Sequence, residues 1–130
     1  MKIMVGYNGP QEAWDALKLA QKNAKAFDGH VYIVTSLKDV DADDKEKIEK
    51  AEENLEYAQN ILKENEISCE THLLIRGMSP GEDLIKFVKD NKIDQVVIGV
   101  RKKSKVEKLV FGSTAQYVIL NAPCPVITIK

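Results

Sequence analysis

Asp94-Gln95-Val96-Val97-Ile98-Gly99-Val100-Arg101-Lys102-Lys103 is the stretch on which the fold turns. Val96, Val97 and Ile98 are consecutive apolar residues, so a strand here is apolar on both faces. A strand with one wet face would alternate apolar and polar side chains. A short run without alternation belongs in the middle of a parallel sheet covered on both sides. The run stops at Gly99, and Arg101, Lys102, Lys103, Lys105 and Lys108 follow. Then comes Gly112-Ser113-Thr114, where a new helix begins. Small residues let a bound group approach the backbone. A helix start offers free N–H donors and the positive end of a dipole, which suits phosphate. The arrangement reads as an anion-binding loop for a nucleotide.

Outward from this segment, strands and helices alternate. Lys2–Gly6 reads as a first strand, closed by the turn Tyr7-Asn8-Gly9-Pro10. A helix from Gln11 has Ala13, Leu17, Ala20, Ala24 and Phe27 at three- and four-residue steps. Asp28-Gly29 closes it, with glycine favoured past a helix end. Val31–Val34 is a second strand, extendable to Leu37. A long helix over about 43–65 carries the stripe Ile48, Ala51, Leu55, Ala58 and Leu62, with charge elsewhere on its surface. Ser68–Ile75 is a third strand, with Cys69, Thr71 and Leu73 on one face. A turn at Arg76-Gly77-Met78-Ser79 leads to a helix from Pro80 to Asn91, since proline suits the first helical turn. Its core face is Leu84, Ile85 and Val88. A helix after Gly112 turns Ala115, Val118 and Ile119 inward, and Pro125–Ile129 is the fifth strand.

Such alternation predicts an α/β fold, an open five-stranded parallel sheet with helices on both faces. Ligands of these sheets bind outside the carboxyl ends of the strands, where the strand order reverses. If the first and fourth strands flank that point, Gly6–Pro10 and Gly99–Lys103 line one crevice.

The chain has 130 residues, which suits one domain over residues 1–130. A net charge of -1 gives no global case for nucleic-acid binding. No apolar stretch approaches the ~20 residues of a membrane span. The opening Met-Lys-Ile-Met-Val lacks the apolar region of a signal peptide. Cys69 and Cys124 have no paired spacing, so neither a disulfide framework nor a metal site is read from them. The cytoplasm is the expected compartment.

Several residues have structural roles that compete with binding. Gly112 suits a tight turn, and Ser113 or Thr114 suits a helix cap worth ~1 kcal/mol. Tyr7 suits packing at a strand end better than stacking on a base. Trp14 is expected in the core or on a dimer surface, and Cys124 in packing. His30 and His72 have no partner at any ligand or catalytic spacing, so both read as incidental. Enzyme signatures are missing: there is no G-x-x-x-x-G-K-[ST] loop, no G-x-G-x-x-G and no G-x-S-x-G elbow. No catalytic residue is assigned, which leaves at most a slow ATPase.

Together the residues resemble the universal stress protein family over essentially the whole chain. The resemblance rests on Val5-Gly6-Tyr7-Asn8-Gly9-Pro10, on Gly77 and Pro80, and on Asp94–Gly99. It ends with Phe111-Gly112-Ser113 and the tail Asn121-Ala-Pro-Cys-Pro-Val-Ile. It implies strand order 3-2-1-4-5, the adenine-nucleotide alpha-hydrolase-like architecture, and a homodimer paired through the last strand. ATP-binding members carry G-x2-G-x9-G-[ST]. Gly99 and Gly112-Ser113 match its outer positions with the spacing intact, while Lys102 replaces the middle glycine. Asn8 stands where the family commonly has an aspartate. The H-x-G-H and S-G-G-x-D-S signatures of nucleotidyl transferases and ATP pyrophosphatases, which share related folds, are absent. The nucleotide-binding set implied here is Tyr7, Asn8, Gly9, Ser36, Gly99, Arg101, Lys102, Gly112, Ser113 and Thr114. Ser36 enters because family members line an adenine pocket near the end of the second strand. The expected ligand is ATP or another adenine nucleotide with Mg²⁺, in a regulatory or stress-protective module. The alternative is a homodimeric interaction module without nucleotide, motivated by Lys102 and Asn8.

Overall fold

The computed structural model describes residues 1–38, 43–100 and 112–130, the side chains of residues 10–12 excepted. In chain order the elements are β1 (Lys2–Gly6), α1 (Pro10–Phe27), β2 (His30–Ser36), α2 (Lys45–Glu64) and β3 (Cys69–Leu74). They continue with α3 (Pro80–Asp90), β4 (Gln95–Gly99), α4 (Ser113–Asn121) and β5 (Val126–Ile129). All strand pairs are parallel, in the order β3-β2-β1-β4-β5. The expected α/β fold and strand order are therefore present.

Strand alternation sorts the core into two layers. Ile3, Val5, Val31, Ile33 and Val97 point to one face, against Leu17, Ala20, Leu55 and Leu62 of α1 and α2. Met4, Tyr32, Val34, Val96 and Ile98 point to the other, against Leu84, Phe87, Val88 and Val118 of α3 and α4. Val96, Val97 and Ile98 are all buried, which is the two-faced burial their run demanded. Burial at roughly 1.5–3 kcal/mol per large aliphatic side chain makes these layers the main source of stability.

Three local expectations are corrected. Phe27 is 57% exposed and Ile119 39% exposed, so neither belongs to the core. Phe27 is the last residue of α1, past the turn that still faces the sheet. Ile119 lies about 100° around α4 from the buried Val118, turned off the face that meets α3. The left-handed residue after α1 is Asp28 (φ 50), not Gly29, and its N–H donates to the Ala24 carbonyl. Gly29 is small for another reason: a Cβ there would sit 3.0 Å from the Met1 carbonyl oxygen.

The two histidines are not incidental. Glu70 receives His30 Nε2–H at 2.7 Å on one carboxylate oxygen and His72 Nε2–H at 2.6 Å on the other. His30 Nδ1 lies 2.5 Å from Ser68 Oγ. His72 also packs 4.8 Å from the Phe87 ring. His30 and Glu70 are 40 residues apart, and parallel pairing of Tyr32 with Glu70 brings them onto one face. Residue spacing alone carries no trace of such a pairing.

Partial burial pushes the Glu70 carboxyl up, but hydrogen bonds from His72 and His30 and their charge outweigh it, and the net shift is downward. A carboxyl held lower in the folded chain than in the unfolded chain stabilises above its unfolded pKa. That contribution disappears as pH falls through the folded pKa. The melting temperature should therefore fall as pH drops below the ordinary glutamate value of 4.5. In Glu70→Gln that part of the decline should flatten. An identical acid profile in the variant would remove Glu70 from the explanation.

Candidate functional site

The reversal of strand order builds the site. From β1 the chain winds one way through β2 and β3, then returns to lay β4 on the other side of β1. Covering helices diverge there and leave a crevice at the carboxyl ends of β1 and β4. A cavity of about 350 Å³ occupies it. Gly6, Tyr7 and Asn8 line it from the end of β1, and Val34 and Ser36 from β2. Ile98, Gly99 and Val100 come from β4, Pro80 and Leu84 from α3, and Gly112, Ser113, Thr114 and Val118 from the start of α4.

Seven of the ten expected binding residues thus share one cavity: Tyr7, Asn8, Ser36, Gly99, Gly112, Ser113 and Thr114. Gly9 does not line it. Gly9 caps α1 with φ 122, buried beside Asn54. Arg101 and Lys102, with Lys103, Lys105 and Lys108, lie outside the described residues.

The cavity has two unlike ends. One is the N-terminus of α4. Gly112 is its N-cap, and no side-chain cap hydrogen bond is formed. The expected capping role of Ser113 or Thr114 is therefore not found; both already sit inside the helix's first turn. The turn that leads into Gly112 lies outside the described residues, but the backbone of Gly112 itself does not call for glycine. Its φ of -64 and ψ of 161 are open to any residue, and an added Cβ would meet nothing within 4 Å among the described residues. Among the described residues nothing requires glycine at that point.

The other end is walled by apolar side chains and Ser36. Tyr7 is 1% exposed and belongs to the core layer beneath α1 and α2, so it forms wall rather than a free stacking face. Its N–H donates to the Val34 carbonyl at 2.9 Å, and its carbonyl accepts from Thr35 Oγ1. These bonds hold the β1 turn against β2. Burial and the neighbouring Tyr57 push the Tyr7 hydroxyl up to about 12. It is no acid or base at neutral pH.

Ser36 carries a network that residue spacing did not disclose. Its hydroxyl donates to Asp83 Oδ2 at 2.9 Å. Asp83 is fully buried in the first turn of α3. Arg76 closes over it: Nε donates to Oδ1 at 2.5 Å and Nη2 to the Asp83 carbonyl at 3.2 Å. The available signal was an acidic residue directly before the core pair Leu84 and Ile85, on the inward side of an amphipathic helix. Among the described residues, no group of three His, Cys, Asp or Glu could hold a metal ion.

Architecture and cleft together define an open, doubly wound parallel α/β protein with its ligand-sized cavity at the topological switch point. Residues 1–130 match the universal stress protein family, and the chain belongs to that family. It is 37% identical to a universal stress protein structure from Archaeoglobus fulgidus, covering 100% of this chain and 98% of that one, with a TM-score of 0.90. A universal stress protein from the same organism, solved in complex with dAMP, is 34% identical over 100% of this chain and 98% of that one, with a TM-score of 0.85. A universal stress protein of Methanocaldococcus jannaschii is 29% identical over 140 aligned residues, 99% of this chain and 81% of that protein. No helix among the described residues is long and apolar enough to cross a membrane.

Proposed function

We propose that this protein binds an adenine nucleotide, with ATP and Mg²⁺ as the expected physiological ligand, and acts as a regulatory or stress-protective module. One observation carries the reading: Gly112, whose own backbone angles do not call for glycine and which no described residue crowds, stands at a helix N-terminus that lines the switch-point cavity. A site for close ligand approach explains that choice. Ser113 lines that cavity, and with the first N–H groups of α4 it would take phosphate oxygens. Gly99 admits the ribose and phosphate beside β4, and Asn8 offers both a donor and an acceptor to sugar or base. The dAMP complex of the A. fulgidus relative, at 34% identity over the full chain, supports the same ligand class here. Mg²⁺ would bind through phosphate oxygens and water rather than a protein cage. We assign no catalytic residue.

Isothermal titration of the full chain with ATP–Mg²⁺ and AMP tests this. Saturable heat at up to millimolar nucleotide is expected, with a matching rise in melting temperature. Absence of both would defeat the reading and favour a homodimeric interaction module paired through β5, the edge strand of the sheet. Gly112→Val sharpens the test. Because no described residue crowds that position, its melting temperature should stay within about 2 °C of the parent. Nucleotide affinity should fall about tenfold or more as the side chain meets the ligand. A variant that binds normally would return Gly112 to a plain connector.

A further inference from the structure

We infer that Ser68 is an acylation site, with His30 as its general base and Glu70 as the residue that fixes the His30 tautomer. The acyl donor it fits is a small, neutral activated ester or thioester. The site stands apart from the nucleotide cavity. His30 opens β2 and Ser68 directly precedes β3, at the amino ends of the strands, whereas the cavity lies at their carboxyl ends.

A serine hydroxyl becomes a nucleophile when a base within hydrogen-bond reach takes its proton and a third group orients the base. Ser68 Oγ lies 2.5 Å from His30 Nδ1. His30 Nε2 lies 2.7 Å from Glu70 Oε1. Burial raises the Glu70 carboxyl, but the bonds and charge of His72 and His30 outweigh it, so Glu70 is ionised at neutral pH. An ionised carboxylate only accepts. The hydrogen of a neutral His30 ring therefore sits on Nε2, and Nδ1 is bare. The Ser68 hydroxyl then donates to Nδ1, the direction that proton abstraction needs. His72 Nε2, 2.6 Å from the other Glu70 oxygen, keeps the carboxylate from swinging away.

The backbone holds nucleophile and base together. Val31 pairs with Cys69, which sets His30 beside Ser68, and the Val31 N–H donates to the Ser68 carbonyl at 2.9 Å. The His30 N–H donates to the Met1 carbonyl at 2.9 Å, and its ring stands edge-on to Tyr32. Ser68 is exposed, so a donor reaches it from solvent.

In the reaction Ser68 Oγ bonds to the acyl carbon as its proton passes to His30 Nδ1. The imidazolium so formed faces Glu70, whose charge offsets its own. The bond to the leaving oxygen or sulfur then breaks, and the leaving group takes the proton from Nδ1. The products are an ester on Ser68 and a free alcohol or thiol. Glu70 also disfavours an anionic phosphoryl donor, which is why the fitting class is a neutral acyl one.

The probe is p-nitrophenyl acetate. In the parent chain, mass-spectrometric peptide mapping should find acetyl on Ser68, released by alkaline hydroxylamine as an ester is and a lysine amide is not. Ser68→Ala should lose that ester. His30→Gln should slow Ser68 acetylation about a hundredfold or more, with lysine acetylation in the same chain unchanged as the internal reference. Glu70 acts through His30 and is a positioning residue, so its variant is read by nitrogen NMR as well. In Glu70→Leu the imidazole shifts should show His30 leaving the Nε2–H tautomer as Ser68 acetylation slows about tenfold or more. Acetyl confined to lysines in the parent overturns the inference. A Ser68 rate unchanged in His30→Gln does the same, as does a Glu70→Leu chain that keeps the parent's tautomer and rate.

Discussion

Asp83→Ala is expected to destabilise the chain by about 3 kcal/mol, the lower end of the cost of breaking a buried ion pair. For 130 residues this lowers the melting temperature on the order of 10 °C. The physical reason is what the variant leaves behind. Asp83 is fully buried and serves Ser36 and Arg76 together. Truncation orphans the Ser36 hydroxyl and strips Arg76 of its counter-ion. The Arg76 side chain is 34% exposed and partly rehydrates, which keeps the loss from reaching the upper range. The lost aspartate also stood in the first turn of α3, where negative charge complements the helix dipole. Denaturant unfolding measures the difference directly. A loss below about 1 kcal/mol would show that the network contributes no more than a surface ion pair.

Gly81→Ala is the second large effect, and its sign runs against helix propensity. Within a helix, glycine to alanine should stabilise by about 1 kcal/mol. Here an added Cβ would lie 2.8 Å from Tyr117 Cβ and 3.1 Å from its Cγ. Tyr117 Cβ is fixed to the α4 backbone and cannot rotate out of the way. Either α4 withdraws from α3 or the contact stays compressed, at a cost of about 1–3 kcal/mol. Net destabilisation of about 1 kcal/mol is expected, together with a larger loss of nucleotide affinity. The affinity falls because Pro80 and Leu84 of α3 and Ser113 and Thr114 of α4 face each other across the cavity. Thermal unfolding and nucleotide titration separate the two effects. A variant that melts higher and binds as before would mean the helices tolerate separation.

Much of the architecture was legible before any coordinates. Val96-Val97-Ile98 could only be a strand buried on both faces, and such strands occur in parallel sheets. Ala51, Leu55, Ala58 and Leu62 form the buried stripe of α2 as their spacing required. Gly99 and Gly112–Thr114 do meet in one cavity, because both stand where elements end at the same edge of the sheet. Phe27 and Ile119 misled, since apolar character does not reveal which side of a helix terminus meets the sheet. Gly9 also misled: its positive φ serves the cap of α1 rather than the cavity.

Periodicity and turn residues by themselves settled the strands, the helices and the parallel sheet, because those depend on neighbours a few residues apart along one chain segment. The partners of His30, Ser36 and Asp83 were decided only in three dimensions, whereas Glu70 and His72, two residues apart on β3, share a face by strand alternation alone. Glu70 meets His30 across the β2–β3 register, and Asp83 meets Ser36 where α3 docks on the end of β2. Hydrogen bonds of about 3 Å between residues 40 and 47 positions apart depend on how whole elements are laid side by side, and no local pattern encodes that placement.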